Sequence, residues 1–132
     1  MDENIKKPQL LAPLVLAYIG DSVYEVYVRS RIVSEHSDMP AGKLHKQSIK
    51  FVSAKAQSHS ILKIENMLSE EELAIYKRGR NAKSATVPKN ADVTQYRQAT
   101  GFEALVGYLY LSHQNERLSE IMEAAYNNCL NN

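Results

Sequence analysis

Apolar residues recur along this chain at the three-to-four spacing of helices, and no pair of alternating stretches reads as strands. The longest apolar run, Leu10 to Ile19, suits a buried helix and is too short to span a bilayer. Ile19, Val23, Val26 and Val28 continue it on mixed faces. The pattern predicts a first helix over 10–33 with Pro13 in its first turn. Pro40-Ala41-Gly42 interrupts it ahead of a short segment around Leu44, and a further helix is predicted over 48–67. Ser69 followed by Glu72 is a capping box, in which each side chain satisfies the other's exposed backbone N–H. The helix it opens is predicted to end near Gly79, a natural left-handed terminator, leaving 79–90 as a loop. Asp92 and Gln95 form a weaker box for a fifth helix through Phe102 to Leu111. Leu118, Ile121, Met122, Ala125 and Tyr126 mark a short last helix. The expected fold is all-α.

Composition narrows this to one domain over residues 1–132, since 44% of the 132 residues are hydrophobic, enough for a real core. A lone cysteine, Cys129, excludes an intramolecular disulfide framework and a cysteine-rich zinc module, and reads as an inert edge thiol. His36, His45, His59 and His113 lack tight ligand spacing. Phosphate-binding glycine loops, nucleophile elbows and dinucleotide fingerprints are absent from the sequence. Met1-Asp2-Glu3-Asn4 is not a signal-peptide start, so a cytoplasmic protein without membrane association is expected. Tyr18, Tyr24, Tyr27, Tyr108 and Tyr110 sit in apolar helical stretches and are assigned to core or interface.

The net charge of +1 conceals segregation. Residues 43–63 carry five lysines and no acid; 64–76 hold four glutamates and no base; 77–97 hold six bases against Asp92 alone. The first basic stretch, which includes Lys55, reads on its own as a solvated helix face. In the second, Lys77, Arg78, Arg80 and Lys83 crowd around Gly79, Asn81 and Ser84, with Lys89 beyond. Such clustered guanidinium, ammonium, amide and hydroxyl donors suit phosphate and sugar oxygens. They also suit acidic protein surfaces or the C-termini of neighbouring helices.

Two acids stand out against apolar surroundings. Asp21 ends the stretch Leu14–Gly20, with Glu25 four residues on and on the same helix face. Glu103 lies within Gly101-Phe102-Glu103-Ala104-Leu105-Val106-Gly107, where small residues let another helix come close. A buried acid must be paired, hydrogen-bonded or metal-bound. Oxygen ligands of this kind suit magnesium, and structural hydrogen bonds from Tyr, Arg or Lys are the competing explanation.

Leu16-Ala17-Tyr18-Ile19-Gly20-Asp21-Ser22-Val23 resembles the signature helix of ribonuclease III, and Phe102 to Gly107 resembles that family's second motif. Val52 to Gln57, Lys77 to Ser84 and Pro88-Lys89-Asn90 are similar to segments of its short bacterial branch, Mini-III. The resemblance runs from about Leu10 to Leu118. It implies a homodimeric ribonuclease III-like helical endonuclease domain that hydrolyses double-stranded RNA with magnesium, or manganese as a substitute. It also implies a role in trimming large-subunit (23S) ribosomal RNA precursor. No separate double-stranded-RNA-binding domain is expected within this length.

Where ordinary ribonuclease III has two further acids, this sequence has Ala17 and Thr100, a reduced pattern that Mini-III shares. Only Asp21 and Glu103 carry over as catalytic, metal-binding carboxylates; a contribution from Glu25 through a water is the lesser alternative. RNA contacts are expected from Lys77, Arg78, Arg80, Asn81, Lys83, Ser84 and Lys89, helped by Lys55. Two alternatives stay open: a non-catalytic RNA-binding or ribosome-associated protein of the same fold, and a helical enzyme for small phosphates.

Overall fold

A computed structural model describes residues 5, 7–83 and 87–130. A single-turn 3-10 helix, Pro8–Leu10, precedes six α-helices: α1 (Pro13–Glu35), α2 (Ala41–Val52), α3 (Ala54–Ile64), α4 (Glu70–Asn81), α5 (Val93–Leu111) and α6 (Asn115–Leu130). A second 3-10 turn, Glu65–Met67, links α3 to α4. The described residues contain no strand, so the all-α expectation holds.

Helix α5 is the axle, packing against α1, α3, α4 and α6. Phe102, Ala104, Leu105, Val106 and Leu109 are all fully buried, which explains why the second half of this helix lacks a polar face. Against it, α1 presents one stripe at four-residue spacing: Leu16, Gly20, Tyr24, Val28 and Ile32, all buried. Val26 falls off that stripe and is 65% exposed. The Tyr24 ring meets Phe102 edge-on at 4.9 Å, and Phe51 of α2 stacks on Tyr126 of α6 at 4.2 Å.

The helix ends show where local signals prevailed. Pro13 is in the first turn of α1, three residues later than the sequence pattern placed the start. The capping box is complete, with Ser69 N–H donating to Glu72 Oε1 at 2.9 Å and Glu72 N–H to Ser69 Oγ at 3.2 Å. The second box is half made: Gln95 N–H donates to Asp92 Oδ1 at 3.0 Å. The last helix is longer than its apolar stripe suggested.

Two expectations are corrected. The single helix over 48–67 is two, because Ser53 adopts extended backbone and its hydroxyl caps α3 by accepting from Ala56 N–H at 3.2 Å. Gly79 does not terminate α4. It is buried inside the helix, where an added Cβ would lie 2.8 Å from Ala104 Cβ and 2.9 Å from Gly101 Cα. Its role is to let α4 press against α5.

The tightest contact is between α1 and α5. A Cβ on Gly20 would sit 1.7 Å from the Glu103 carbonyl oxygen, and one on Gly107 would sit 2.0 Å from the Leu16 carbonyl oxygen. Backbone touches backbone there, so neither position has a side chain that could rotate away. Gly20→Ala should cost about 3 kcal/mol or more in denaturant unfolding, if it folds at all. Gly42→Ala, whose Cβ meets nothing within 4 Å in α2, should be neutral or stabilise by about 0.5–1 kcal/mol. Equal stabilities for the two variants would refute this account of the crossing.

Candidate active site

The residue following Gly20 is Asp21, so the crossing that presses Gly20 onto the Glu103 backbone also brings the two acids together. Asp21 is exposed at the surface of α1, and Glu103 is largely buried. The Glu103 carboxyl is pushed up to about 8. Burial is the largest cause, followed by the Asp21 charge and the contact with Asp21; Gln57 acts in the opposite direction and Glu25 adds to the rise. Two like charges in a partly dry site, one open to solvent, form a place where a cation lowers the energy of both.

Gln57 completes the inner side. Buried in α3, it donates through Nε2 to Glu103 Oε2 at 3.3 Å and to the Val52 carbonyl, at the end of α2, at 3.0 Å. The break at Ser53 sets α3 where its first turns reach both groups. Gln57 stands in a segment that carries the Mini-III resemblance, but nothing in its sequence neighbours predicts a bond to Glu103. Its Oε1 and the Tyr24 hydroxyl are buried without hydrogen-bond partners among the described residues. Burial pushes the Tyr24 phenol far up, so it remains neutral.

Glu25 is held by Arg29 at 3.3 Å on the exposed side of α1. Ala17 is buried one turn before Asp21, and Thr100, one turn before Glu103, donates to its own helix at the Tyr96 carbonyl, 2.9 Å away. Neither offers a replacement carboxylate. Among the described residues no three His, Cys, Asp or Glu side chains converge as a metal cluster. The donor set is therefore a carboxylate pair with open solvent beside it. That fits a hydrated magnesium ion, which keeps most of its waters and takes one or two protein carboxylates.

The basic residues lie differently from the sequence reading. Lys77, Arg78, Arg80 and Asn81 are on the last turns of α4 and not on a loop, because the helix runs through Gly79. Arg78 spends its guanidinium on the Gln9 and Leu11 carbonyls, at 2.9 and 3.2 Å, tying the first turn of the chain to α4. Arg80 lies over the Tyr76 ring at 5.6 Å and donates to Asn81 Oδ1 at 3.1 Å. Lys83 and Lys89 are exposed in the connection to α5, and Ser84 lies outside the described residues. Lys55 is exposed in the first turn of α3. A larger hollow of about 590 Å³ opens over α3, lined by Lys50, Lys55, His59 and Cys129 among others, and neither Asp21 nor Glu103 borders it. Cys129 is half-buried there, 3.2 Å from Ser60 Oγ, and burial pushes its thiol up, as an inert thiol requires.

A family model for the ribonuclease III domain matches residues 14–114, a span that contains both carboxylates and Gln57. The chain belongs to the ribonuclease III family. Within that family it is similar to curated proteins of the Mini-III branch. It is 55% identical to the Mini-ribonuclease 3 of Clostridium tetani over 96% of this chain and 85% of that protein. It is 46% identical to the one from Staphylococcus aureus over 92% and 89% of the two chains. A crystal structure of a Fusobacterium nucleatum protein superposes with a TM-score of 0.80 at 32% identity, covering 89% of this chain and 93% of that one. Family membership and the fold therefore agree.

The raised Glu103 carboxyl has a consequence for stability in metal-free buffer. An acid that binds its proton more tightly folded than unfolded stabilises the fold below its unfolded value, near 4.5, and loses that contribution as pH rises through about 8. Thermal melts in EDTA should therefore show stability falling from pH 5 to pH 9, by on the order of a few kcal/mol. Glu103→Gln should flatten that slope. An unchanged slope in the variant would show that Glu103 titrates at its ordinary value.

Proposed function

We propose that this ribonuclease III family member, a double-strand-specific endoribonuclease, cuts with magnesium held by Asp21 and Glu103. The observation that supports the reading is the pairing of these two acids at the α1–α5 crossing, where Glu103 is strained towards protonation unless a cation is present. Bound there, magnesium supplies the positive charge that activates a water and offsets charge building on the scissile phosphate. Asp21, exposed on α1, and Glu103, hydrogen-bonded by Gln57, would hold the ion between them. Manganese, of similar ligand preference, substitutes.

RNA is gripped by the catalytic domain itself, through Lys77, Arg80, Asn81, Lys83 and Lys89 around the end of α4, with Ser84 in the same stretch and Lys55 on α3. Arg78 contributes by holding the chain's first turn against this helix and by its exposed charge. The shallow minor groove of A-form RNA is read by shape and by phosphate and hydroxyl contacts, which suits a surface of lysine and arginine without a base-reading element. A homodimer would give two such sites, one per strand. The exposed line Leu14, Tyr18 and Val26 along α1, with Tyr18 77% exposed, supports α1 as the dimer face. The role suggested by the Mini-III resemblance is trimming of 23S ribosomal RNA precursor in the cytoplasm. No helix among the described residues is long and apolar enough to cross a membrane.

Ala17 and Thr100 favour a second reading, in which the fold binds RNA without cutting it. One variant separates the two. Asp21→Asn should reduce magnesium-dependent cleavage of duplex RNA by several orders of magnitude, with the melting temperature and duplex affinity nearly unchanged. Cleavage by Asp21→Asn at the wild-type rate would remove Asp21 from the mechanism. A wild-type chain that binds duplex RNA and never cuts it with either metal would establish the second reading.

A further inference from the structure

Five of the chain's six arginines are engaged. Arg29 pairs with Glu25 and Arg31 with Glu35, while Arg117 binds Glu72 and Glu120. Arg78 is committed to backbone carbonyls, and Arg80 to Asn81 and the Tyr76 ring. Arg97, exposed in the second turn of α5, has no ion pair, hydrogen bond or aromatic partner among the described residues. The long α5 presents this cation to solvent, its guanidinium donors unengaged by any of the described residues.

Arg97 also stands where two clefts meet. One, of about 280 Å³, runs between the start of α1 and the end of α4, with Leu14, Gly79, Lys83, Tyr96 and Thr100 among its walls. The other, of about 190 Å³, is lined by Arg80, Asn81, Thr94, Arg97 and Gln98. No carboxylate of the described residues lines either cleft. Glu103 lies six residues further along α5, about 9 Å in rise and roughly a third of a turn around the helix.

We propose that Arg97 clamps a backbone phosphate of the RNA on the flank of the cleavage site, with Arg80, Asn81 and Lys83 around it. An unpaired guanidinium offers a planar fork that binds two phosphate oxygens at once, which a lysine cannot match. A cleft free of acids makes that contact attractive without competition from within the protein. The proposal rests on the reading that the chain cuts duplex RNA at Asp21 and Glu103, and it assigns to Arg97 much of the grip that the sequence suggested for Arg78.

Fluorescence anisotropy with a labelled RNA duplex in EDTA, over a series of salt concentrations, tests it without any bound metal. Arg97→Ala should raise Kd about tenfold at low salt and reduce the slope of log affinity against log salt by about one. Arg97→Lys should recover the salt slope but only part of the affinity, which a merely structural role would not produce. Both variants should melt like the wild type and bind manganese equally well, because Arg97 touches neither the core nor the acids. Wild-type Kd and slope in Arg97→Ala, measured against a wild-type protein that binds and cuts the duplex, would overturn the clamp alone. A wild-type protein that neither binds nor cuts duplex RNA would overturn the underlying reading, and the clamp with it.

Discussion

The backbone contact between α1 and α5 is the constraint on which the rest depends. Gly20 against Glu103 and Gly107 against Leu16 bring two helices closer than any side chain would permit. This closeness lets α5 be surrounded by four other helices, so that its Phe102, Leu105 and Leu109 supply the centre of the core. It also sets the site: with Gly20 on the contact, helical geometry places Asp21 at its edge and within reach of Glu103. Core packing and the placement of the acids are thus one interaction seen from two sides.

That arrangement has an energetic cost. Burying Glu103 beside Asp21 disfavours its ionised form, and the fold tolerates this because Gln57 hydrogen-bonds the carboxylate while being anchored to the end of α2. The opposite case is Glu72, also withdrawn from solvent, but held below the usual carboxylate range by Arg117 and by its own capping box. One buried glutamate is neutralised within the protein and strengthens the junction of α4 and α6. The other lacks a cationic partner among the described residues, which is the charge the proposed metal would supply.

Sequence reasoning reached what is encoded locally. The Ser69–Glu72 box, Pro13 in the first turn and the apolar run of α5 were legible because each depends on near neighbours in the chain. Asp21 and Glu103 stood out as acids among apolar residues, and the resemblance to ribonuclease III linked them. What escaped was tertiary. Gly79 looks like a helix terminator until α5 is seen to need its missing Cβ. Ser53 looks like a helix interior until its hydroxyl is seen capping α3. Gln57 and Arg97 acquire meaning only through what lies across from them: a carboxylate for one, and empty cleft for the other. The basic cluster is legible as a composition, but its place on the last turns of α4 is not.

The central claim is that Asp21 and Glu103 form one cation site whose buried member carries a proton until the metal arrives. Calorimetric titration of magnesium or manganese into the protein at pH 7, repeated in buffers of different ionisation enthalpy, counts the protons released per ion bound. The account predicts roughly one proton per site for the wild type, since a carboxyl near 8 is mostly protonated at that pH, and none for Glu103→Gln. Metal binding to the wild type without proton release, or with equal release in Glu103→Gln, would contradict it.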